Sequence, residues 1–393
     1  MIHSTLRVLQ IAAVTGCASS SIYYLLCLWS AVVFLRERRG ATGYSSSSLP
    51  LPPVSILKPL KGTDPEIYQS FRSHCLQDYP EYEIIFGVSD ANDPAVASVQ
   101  RLQCEFPGRQ IQLVVCPQII GANIKVSNLI QMLARAQYGC LIVNDSDIRV
   151  EADYLRSVVA PLAGDSKIGM VTCLYRGVPA GTLWSRLESL GISTDFCAGV
   201  LAARQLEGGI HFGLGSTMVF RRAELDRIGG FESFVDYLAD DYELGKRIAG
   251  LRLKVQLSEV VVETNLPAYD WANFFSHQLR WARGVRDARP GGYFGLPFTF
   301  GIMWSLLAVV AGSAAVWTWA VLAITWLLRA ALAFTVGQTV LNDRQLMRNI
   351  WLLPVRDLIG VGIWLASFGG STVTWRGDRF ELRKGRLTRI MTG

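Results

Sequence analysis

Leu141-Ile142-Val143-Asn144-Asp145-Ser146-Asp147 is a short apolar run that opens into an Asp-x-Asp pair. Read as a strand leaving its sheet, it carries two carboxylates out at the strand's carboxyl end. In an extended segment residues i and i+2 point to the same side, so Asp145 and Asp147 are expected to hold one divalent cation, with Asp145 beside the phosphates it brings. Mg²⁺ and Mn²⁺ take oxygen ligands of this kind and commonly share them with phosphates. An Asp-x-Asp pair in a solvated loop is commonplace; its place directly after Cys140-Leu-Ile-Val-Asn gives this one weight.

Working outward, strand-like and helix-like runs alternate. Residues 54–57, 82–88, 111–116, 140–144 and 168–174 read as strands. Between them, 64–77 reads as a helix capped by Thr63 or Asp64 with Pro65 in its first turn, another helix starts at Asp93 and Pro94, and two more lie near 126–138 and 152–162. The expected fold is α/β: a doubly wound, mostly parallel sheet covered on both faces. Ligands of such sheets bind beyond the carboxyl ends of the strands. That rule puts Asp90, straight after the second strand, on the same rim as Asp145 and Asp147.

The ends of the chain are of different material. Half of the 393 residues are hydrophobic. Residues 8–35 carry no charge, enough to cross a bilayer. Arg36, Arg38 and Arg39 follow in place of a small-residue cleavage site, so 1–40 reads as an uncleaved anchor with the following residues cytoplasmic. A Ser/Pro-rich linker over 41–53 leads to a soluble domain over 54–290. Residues 296–341 are apolar except for Arg329, enough for a hairpin of two spans. The last apolar stretch, interrupted by Pro354, Arg356 and Asp357, reads as re-entrant or interfacial, closing a membrane region over 291–375. The basic tail, 376–393, is then cytoplasmic. The net charge of +6 comes from these flanking clusters and suits anionic headgroups rather than nucleic acid. Eight cysteines without a C-x-x-C pair, mostly in apolar runs, argue against a disulfide framework or zinc site and for buried reduced thiols.

Further residues carry chemistry. Asp90 in Val-Ser-Asp-Ala-Asn-Asp-Pro is either a turn residue or an acceptor for a base or ribose, while Asp93 before Pro94 reads as a helix cap. Lys125 opens a helix, where a cation and free N–H groups favour phosphate. Asp240 and Asp241 begin another, either as cap and dipole partner or as a general base; only one of two adjacent residues easily points into a cleft. His277-Gln278-Leu279-Arg280-Trp281 joins the aromatic Trp271, Phe274 and Phe275 to Arg283 and Arg286, as in an amphipathic helix lying on a membrane. Arg280 is placed for a diphosphate and Trp281 for an acceptor. A metal-held diphosphate, a base and a membrane together point to nucleotide-sugar chemistry.

The order V-S-I-L-K-P-L-K-G, Y-P-E-Y-E, V-S-D-A-N-D-P, N-D-S-D-I-R-V, G-L-G-S-T-M-V-F-R-R, A-D-D-Y and a closing R-W resembles the inverting GT-A glycosyltransferases of the processive-synthase superfamily. The ceramide glucosyltransferase branch is most similar, with its bacterial offshoot that places N-acetylglucosamine on bacteriohopanetetrol. The resemblance, over about 54–283, implies transfer from a UDP-sugar, UDP-GlcNAc or UDP-glucose, to a membrane lipid hydroxyl, aided by Mg²⁺ or Mn²⁺. The acceptor would be a hopanoid polyol or a ceramide, at the cytoplasmic face of a bacterial inner membrane. It implies Lys58, Asp90, Lys125, Asp145 and Arg280 at the nucleotide sugar and Asp145 and Asp147 at the metal. Asp241 would be the base, with His277 and Trp281 at the acceptor. The closing motif usually starts with Gln or Arg where His277 stands, and 188–204 would shape the lipid pocket. A processive synthase is a weaker reading, because the spans are few for a translocation channel; a nucleotide-sugar sensor with a decayed site is weaker again, because every acidic position is filled.

Overall fold

The computed structural model describes residues 2–41 and 50–390, which form two compact units. Residues 42–49 of the expected linker lie outside the described residues. One unit comprises Ala41–Ala180, Glu207–Pro267 and Thr374–Gly393; the other comprises Met1–Gly40, Gly181–Leu206 and Ala268–Val373.

The first unit is built on eight strands: β1 (Val54–Leu60), β2 (Tyr82–Val88), β3 (Gln110–Val115), β4 (Cys140–Val143), β5 (Ile148–Arg149), β6 (Ile168–Val178), β7 (Met218–Arg221) and β8 (Lys254–Asn265). Their order is β3-β2-β1-β4-β7-β6-β8-β5. β3, β2, β1 and β4 are parallel. β7 enters antiparallel to both β4 and β6, β6 and β8 are parallel, and β5 runs antiparallel to β8. The sheet is therefore mostly parallel in its first half, as expected, and mixed in its second. β1 and β2 are buried at every position, the pattern of strands covered on both faces. Phe71, Val99, Tyr154 and Val158, from three different helices, share one core with Ile56 and Phe86. Chain order reverses between β1 and β4, and the crevice beyond such a switch point is where open α/β sheets bind ligands.

Three details differ from the sequence reading. The second helix starts at Ile67, after Glu66 in the left-handed region (φ 53°), so Thr63, Asp64 and Pro65 do not cap it. The Asp-x-Asp segment is not extended: β4 stops at Val143, and the Ile148 N–H reaches the Asp145 carbonyl at 3.4 Å across a turn. The residues after 375 are no loose tail. β9 (Thr372–Trp375), β10 (Asp378–Arg383) and β11 (Arg386–Arg389) form a second sheet. Phe380, Leu382 and Leu387 are buried in it.

The second unit is helical. Its first helix, Ile2–Ala41, is continuous through the expected anchor. Thr5–Arg39, Val316–Val340 and Leu346–Ser367 are each long and apolar enough to cross a membrane, and Pro290–Thr299 with Gly301–Ala311 form a pair bent by 45°. Gly301 packs against Ser20 and Tyr24, and Gly16 lies under the Trp304 indole, so Gly301–Ala311 runs antiparallel to the first helix. Arg38 donates to the Val340 carbonyl at 3.3 Å. The last apolar segment instead follows the helix Trp271–Ala288 in parallel. Arg356 donates to Gln278 Oε1 at 3.2 Å, and Arg286, two turns on, donates to the Gly370 carbonyl at 3.2 Å.

Candidate active site

The parallel strands deliver their carboxyl ends to one rim. Asn144, the first residue beyond β4, is buried and donates to the Ser216 carbonyl at 2.7 Å, Tyr154 Oη at 3.0 Å and Thr217 Oγ1 at 3.2 Å. That anchor fixes where the chain leaves the sheet. Lys58, inside β1, is fully buried and donates to the Asp145 carbonyl at 2.9 Å. Burial pushes its ammonium down to about 7, against Asp147 and Asp145. It sits beneath the acidic turn and holds its backbone.

The two carboxylates of the turn part company. Asp145 pairs with Lys125 at 2.8 Å. Asp147 accepts the Thr264 hydroxyl of β8. Burial, then the charges of Asp145 and Asp64, push Asp147 up to about 6. Anionic groups crowded to this degree suit a cation. Among the described residues no cluster of three His, Cys, Asp or Glu stands ready to hold a metal alone. Two carboxylates completed by substrate phosphates are the usual provision for Mg²⁺-type ions, so Asp145 and Asp147 fit a metal shared with a diphosphate.

Lys125 joins this turn to the second acidic pair. Its ammonium lies 2.8 Å from Asp145 and 2.9 Å from Asp240. Against the cost of burial, these two carboxylates hold it charged well above the usual lysine range. Asp240 is buried on Lys125, whereas Asp241 is half-buried and accepts the Gly215 N–H at 2.9 Å. Burial and the neighbouring Asp240 raise Asp241 to about 6, with Lys125 opposing. Gly215 stands between the two clusters. A Cβ there would lie 2.8 Å from Asp145 Oδ2 and 3.4 Å from Asp241 Oδ2. The space of one missing methyl group separates the two carboxylates.

Asp90 is exposed just past β2 and accepts from the Asn92 N–H at 2.9 Å. It thus makes the turn of the plainer reading while occupying the expected rim. Asp93 accepts from the Ala95 N–H at 2.9 Å, as a helix-start residue does. His277, Arg280 and Trp281 belong to the helical unit. There His277 stacks on Tyr269 at 5.6 Å, 26° from parallel, and lies 3.2 Å from Glu188 Oε1. Trp281 meets Phe196 at 5.9 Å, and Arg280 is half-buried.

Two residues of the acidic rim escaped the sequence reading. Asp64 accepts the Ser146 hydroxyl at 2.5 Å and pairs with Arg376 at 3.1 Å; it had looked like a helix cap. Gly215 had a signal in the paired glycines of Gly-Leu-Gly-Ser, which mark close approach of backbone to a neighbour.

Residues 12–388 match the family described as Glycosyl transferase family 21. Ceramide glucosyltransferase 1 of Caenorhabditis elegans is 23% identical over 391 residues, covering 96% of this chain and 81% of its own. Ceramide glucosyltransferase 3 of the same organism is 24% identical, covering 85% and 74%. Among solved structures, a mannosyltransferase from Pyrobaculum calidifontis in complex with GDP-Man and Mn²⁺ superposes with a TM-score of 0.51 at 19% identity, covering 86% of this chain and all of that one. The sheet is thus of the GT-A type. With its strand-end carboxylates and this match over nearly its whole length, the chain belongs to glycosyl transferase family 21 and is a glycosyltransferase with a lipid acceptor.

Proposed function

We propose that the protein transfers a sugar from a UDP-sugar to a lipid hydroxyl by single displacement, inverting the anomeric carbon. The observation that carries this reading is the convergence of Asp145 and Asp241 on Gly215. It sets a diphosphate-holding carboxylate beside one held by backbone N–H groups, that of Gly215 at 2.9 Å and that of Tyr242 at 2.7 Å. Asp241, half-buried with a raised pKa, takes the proton of the acceptor hydroxyl as its oxygen attacks the anomeric carbon, and the nucleoside diphosphate leaves. A divalent cation, when bound at Asp145 and Asp147, neutralises charge on the departing oxygens. Lys125, paired with Asp145 and Asp240, holds the two acidic pairs in register, Lys58 holds the turn from below, and Asp90 faces the nucleoside. Arg280 is assigned to the diphosphate, and His277 and Trp281 to the acceptor.

The acceptor we assign is a hopanoid polyol such as bacteriohopanetetrol, with UDP-GlcNAc or UDP-glucose as donor, on the motif resemblance. The relatives, named as ceramide glucosyltransferases, favour ceramide as the second acceptor to test. The catalytic unit is assigned to the cytoplasmic face of a bacterial inner membrane, in keeping with Arg36, Arg38 and Arg39 after the first span.

The test is a membrane assay with both donors, both acceptors and Mn²⁺ or Mg²⁺. Asp241→Asn is expected to lower kcat by about 10³-fold, within the usual span for a general base, while UDP still binds. Wild-type turnover in that variant would remove Asp241 from the role. Polymer formed from UDP-sugar alone would replace the lipid acceptor with a growing glycan.

A further inference from the structure

The basic C-terminal segment carries a feature that membrane attraction does not explain. It folds into the β9–β11 sheet, and both of its turns are two-residue hairpins with a basic residue in the left-handed region. Arg376 (φ 50°) precedes Gly377 (φ 89°), and Lys384 (φ 50°) precedes Gly385 (φ 77°), the backbone of type I′ turns. The second turn and β11 grip the segment that leads into Asp240 and Asp241. The Leu387 N–H donates to the Asp236 carbonyl at 2.7 Å, the Leu238 N–H to the Gly385 carbonyl at 3.0 Å, and Arg386 lies 5.1 Å from the Tyr237 ring centre. The first turn reaches the other half of the site. Arg376 meets both oxygens of Asp64 at 3.1 Å, and Asp64 in turn holds Ser146 between Asp145 and Asp147. Beyond Asp64, the Arg376 guanidinium also feels the charges of Asp147 and Asp145.

An ion pair as open as this one, with the Arg376 side chain 41% exposed, adds little to stability, and the hairpin has another tether in Lys61 and Asp378 at 3.2 Å. A guanidinium, however, is a planar fork suited to carboxylate and phosphate alike. We propose that Arg376 is a donor-binding residue: its guanidinium, parked on Asp64 in the free enzyme, engages the diphosphate of the nucleotide sugar at the Asp145–Asp147 turn. The C-terminal sheet is then a wall of the active site, and this inference rests on the UDP-sugar reading above.

Full-length protein in lipid nanodiscs is titrated with UDP and Mn²⁺ by calorimetry, and kcat/KM for the UDP-sugar is measured in parallel. The variants are Arg376→Ala, Arg376→Lys and Lys61→Ala. Arg376→Ala is expected to weaken UDP binding and lower kcat/KM by about 30-fold each, the scale of a charged hydrogen-bonded pair. Arg376→Lys, a point charge without the fork, should fall between. Lys61→Ala, which loosens the same hairpin away from the acidic turn, should stay within about 3-fold, the scale of an exposed pair. Equal losses in Lys61→Ala and Arg376→Ala would make the pair a brace and overturn the proposal, as would wild-type UDP binding by Arg376→Ala. If the wild-type protein itself binds no UDP with Mn²⁺, the donor reading falls and takes this inference with it.

Discussion

At the scale of single residues, the site depends on an absent side chain. A Cβ at Gly215 would stand 2.8 Å from Asp145 Oδ2, so Gly215→Ala must displace that carboxylate. Misplacement of about 1 Å costs on the order of 10²-fold in rate, and we expect that loss in kcat/KM with the thermal midpoint nearly unchanged. The acid–base behaviour follows from the neighbours of Asp241. A general base works deprotonated, so with Asp241 in the proposed role and raised to about 6, activity is expected to fall as pH drops through about 6. Lys125 opposes that rise; Lys125→Met is therefore expected to shift the acidic limb of kcat/KM to higher pH as well as lower its plateau. A limb that stays in place would show that another group sets it. That Asp145, Asp147 and Asp241 stand where a regular element ends or begins was legible in the sequence, from the apolar run before the first two and the helix start at the third. The partners were not. That Lys125 would bridge Asp145 to Asp240 and that Lys58 would be buried beneath the turn depend on segments far apart in the chain. No spacing rule connects them.

At the scale of elements, the parallel strands β1, β2 and β4 were readable as buried apolar runs, and Lys58 and Pro59 did not hide β1. Pro59 lies past the last residue that β1 pairs with β4, Leu57, where no ladder partner is asked of it on that side. β7 was not read as a strand. Four residues inserted antiparallel between β4 and β6 owe their place to the sheet around them rather than to any run of their own. The C-terminal strands did leave a signal, in the alternation of Phe380 and Leu382 and the turn pair Lys384-Gly385, masked by so many arginines. In the helical unit, the helix Trp271–Ala288 is pinned through Glu188, which is buried and accepts from Gln278 Nε2 at 2.6 Å. His277 and, beyond it, Arg356 hold this carboxyl below its usual range, although burial alone would raise it. Removing one partner of a buried charged network costs about 3 kcal/mol or more. Glu188→Ala should therefore lower the thermal midpoint in detergent by several degrees, and Glu188→Gln, which keeps an acceptor for Gln278, by clearly less.

For the whole molecule, chain connectivity restricts how the protein threads a bilayer. Residues 374–390 fold with the sheet domain through Arg376 on Asp64, Lys61 on Asp378 and Leu387 on Asp236. With the sheet domain on one face of a membrane, as proposed above, the chain between residues 268 and 373 would cross it an even number of times. By length and composition Leu346–Ser367 is a candidate span, yet it follows Trp271–Ala288 in parallel from Gln278 to Arg286. That partner carries His277, Arg280, Arg283, Arg286 and Asp287, far too much charge for a bilayer core. Two helices packed side by side along their length share one depth, and on that ground we propose an interfacial place for Leu346–Ser367. In the threading we propose, the two crossings are the bent pair Pro290–Thr299 with Gly301–Ala311, beside Tyr24 and Gly16, and Val316–Val340, returning to Arg38. A membrane-impermeant maleimide separates this threading from its rival, in which Val316–Val340 and Leu346–Ser367 cross and the bent pair re-enters. Cys104 is exposed and native to the sheet domain, and so reports the face on which that domain lies. Both threadings put Arg379→Cys on that face. Ser313→Cys, in the turn before Val316–Val340, is expected to react only from the opposite face, and Asn342→Cys, just after that helix, only from the face of Cys104. Reversed reactivity of the 313 and 342 positions would show that the last apolar segment crosses after all.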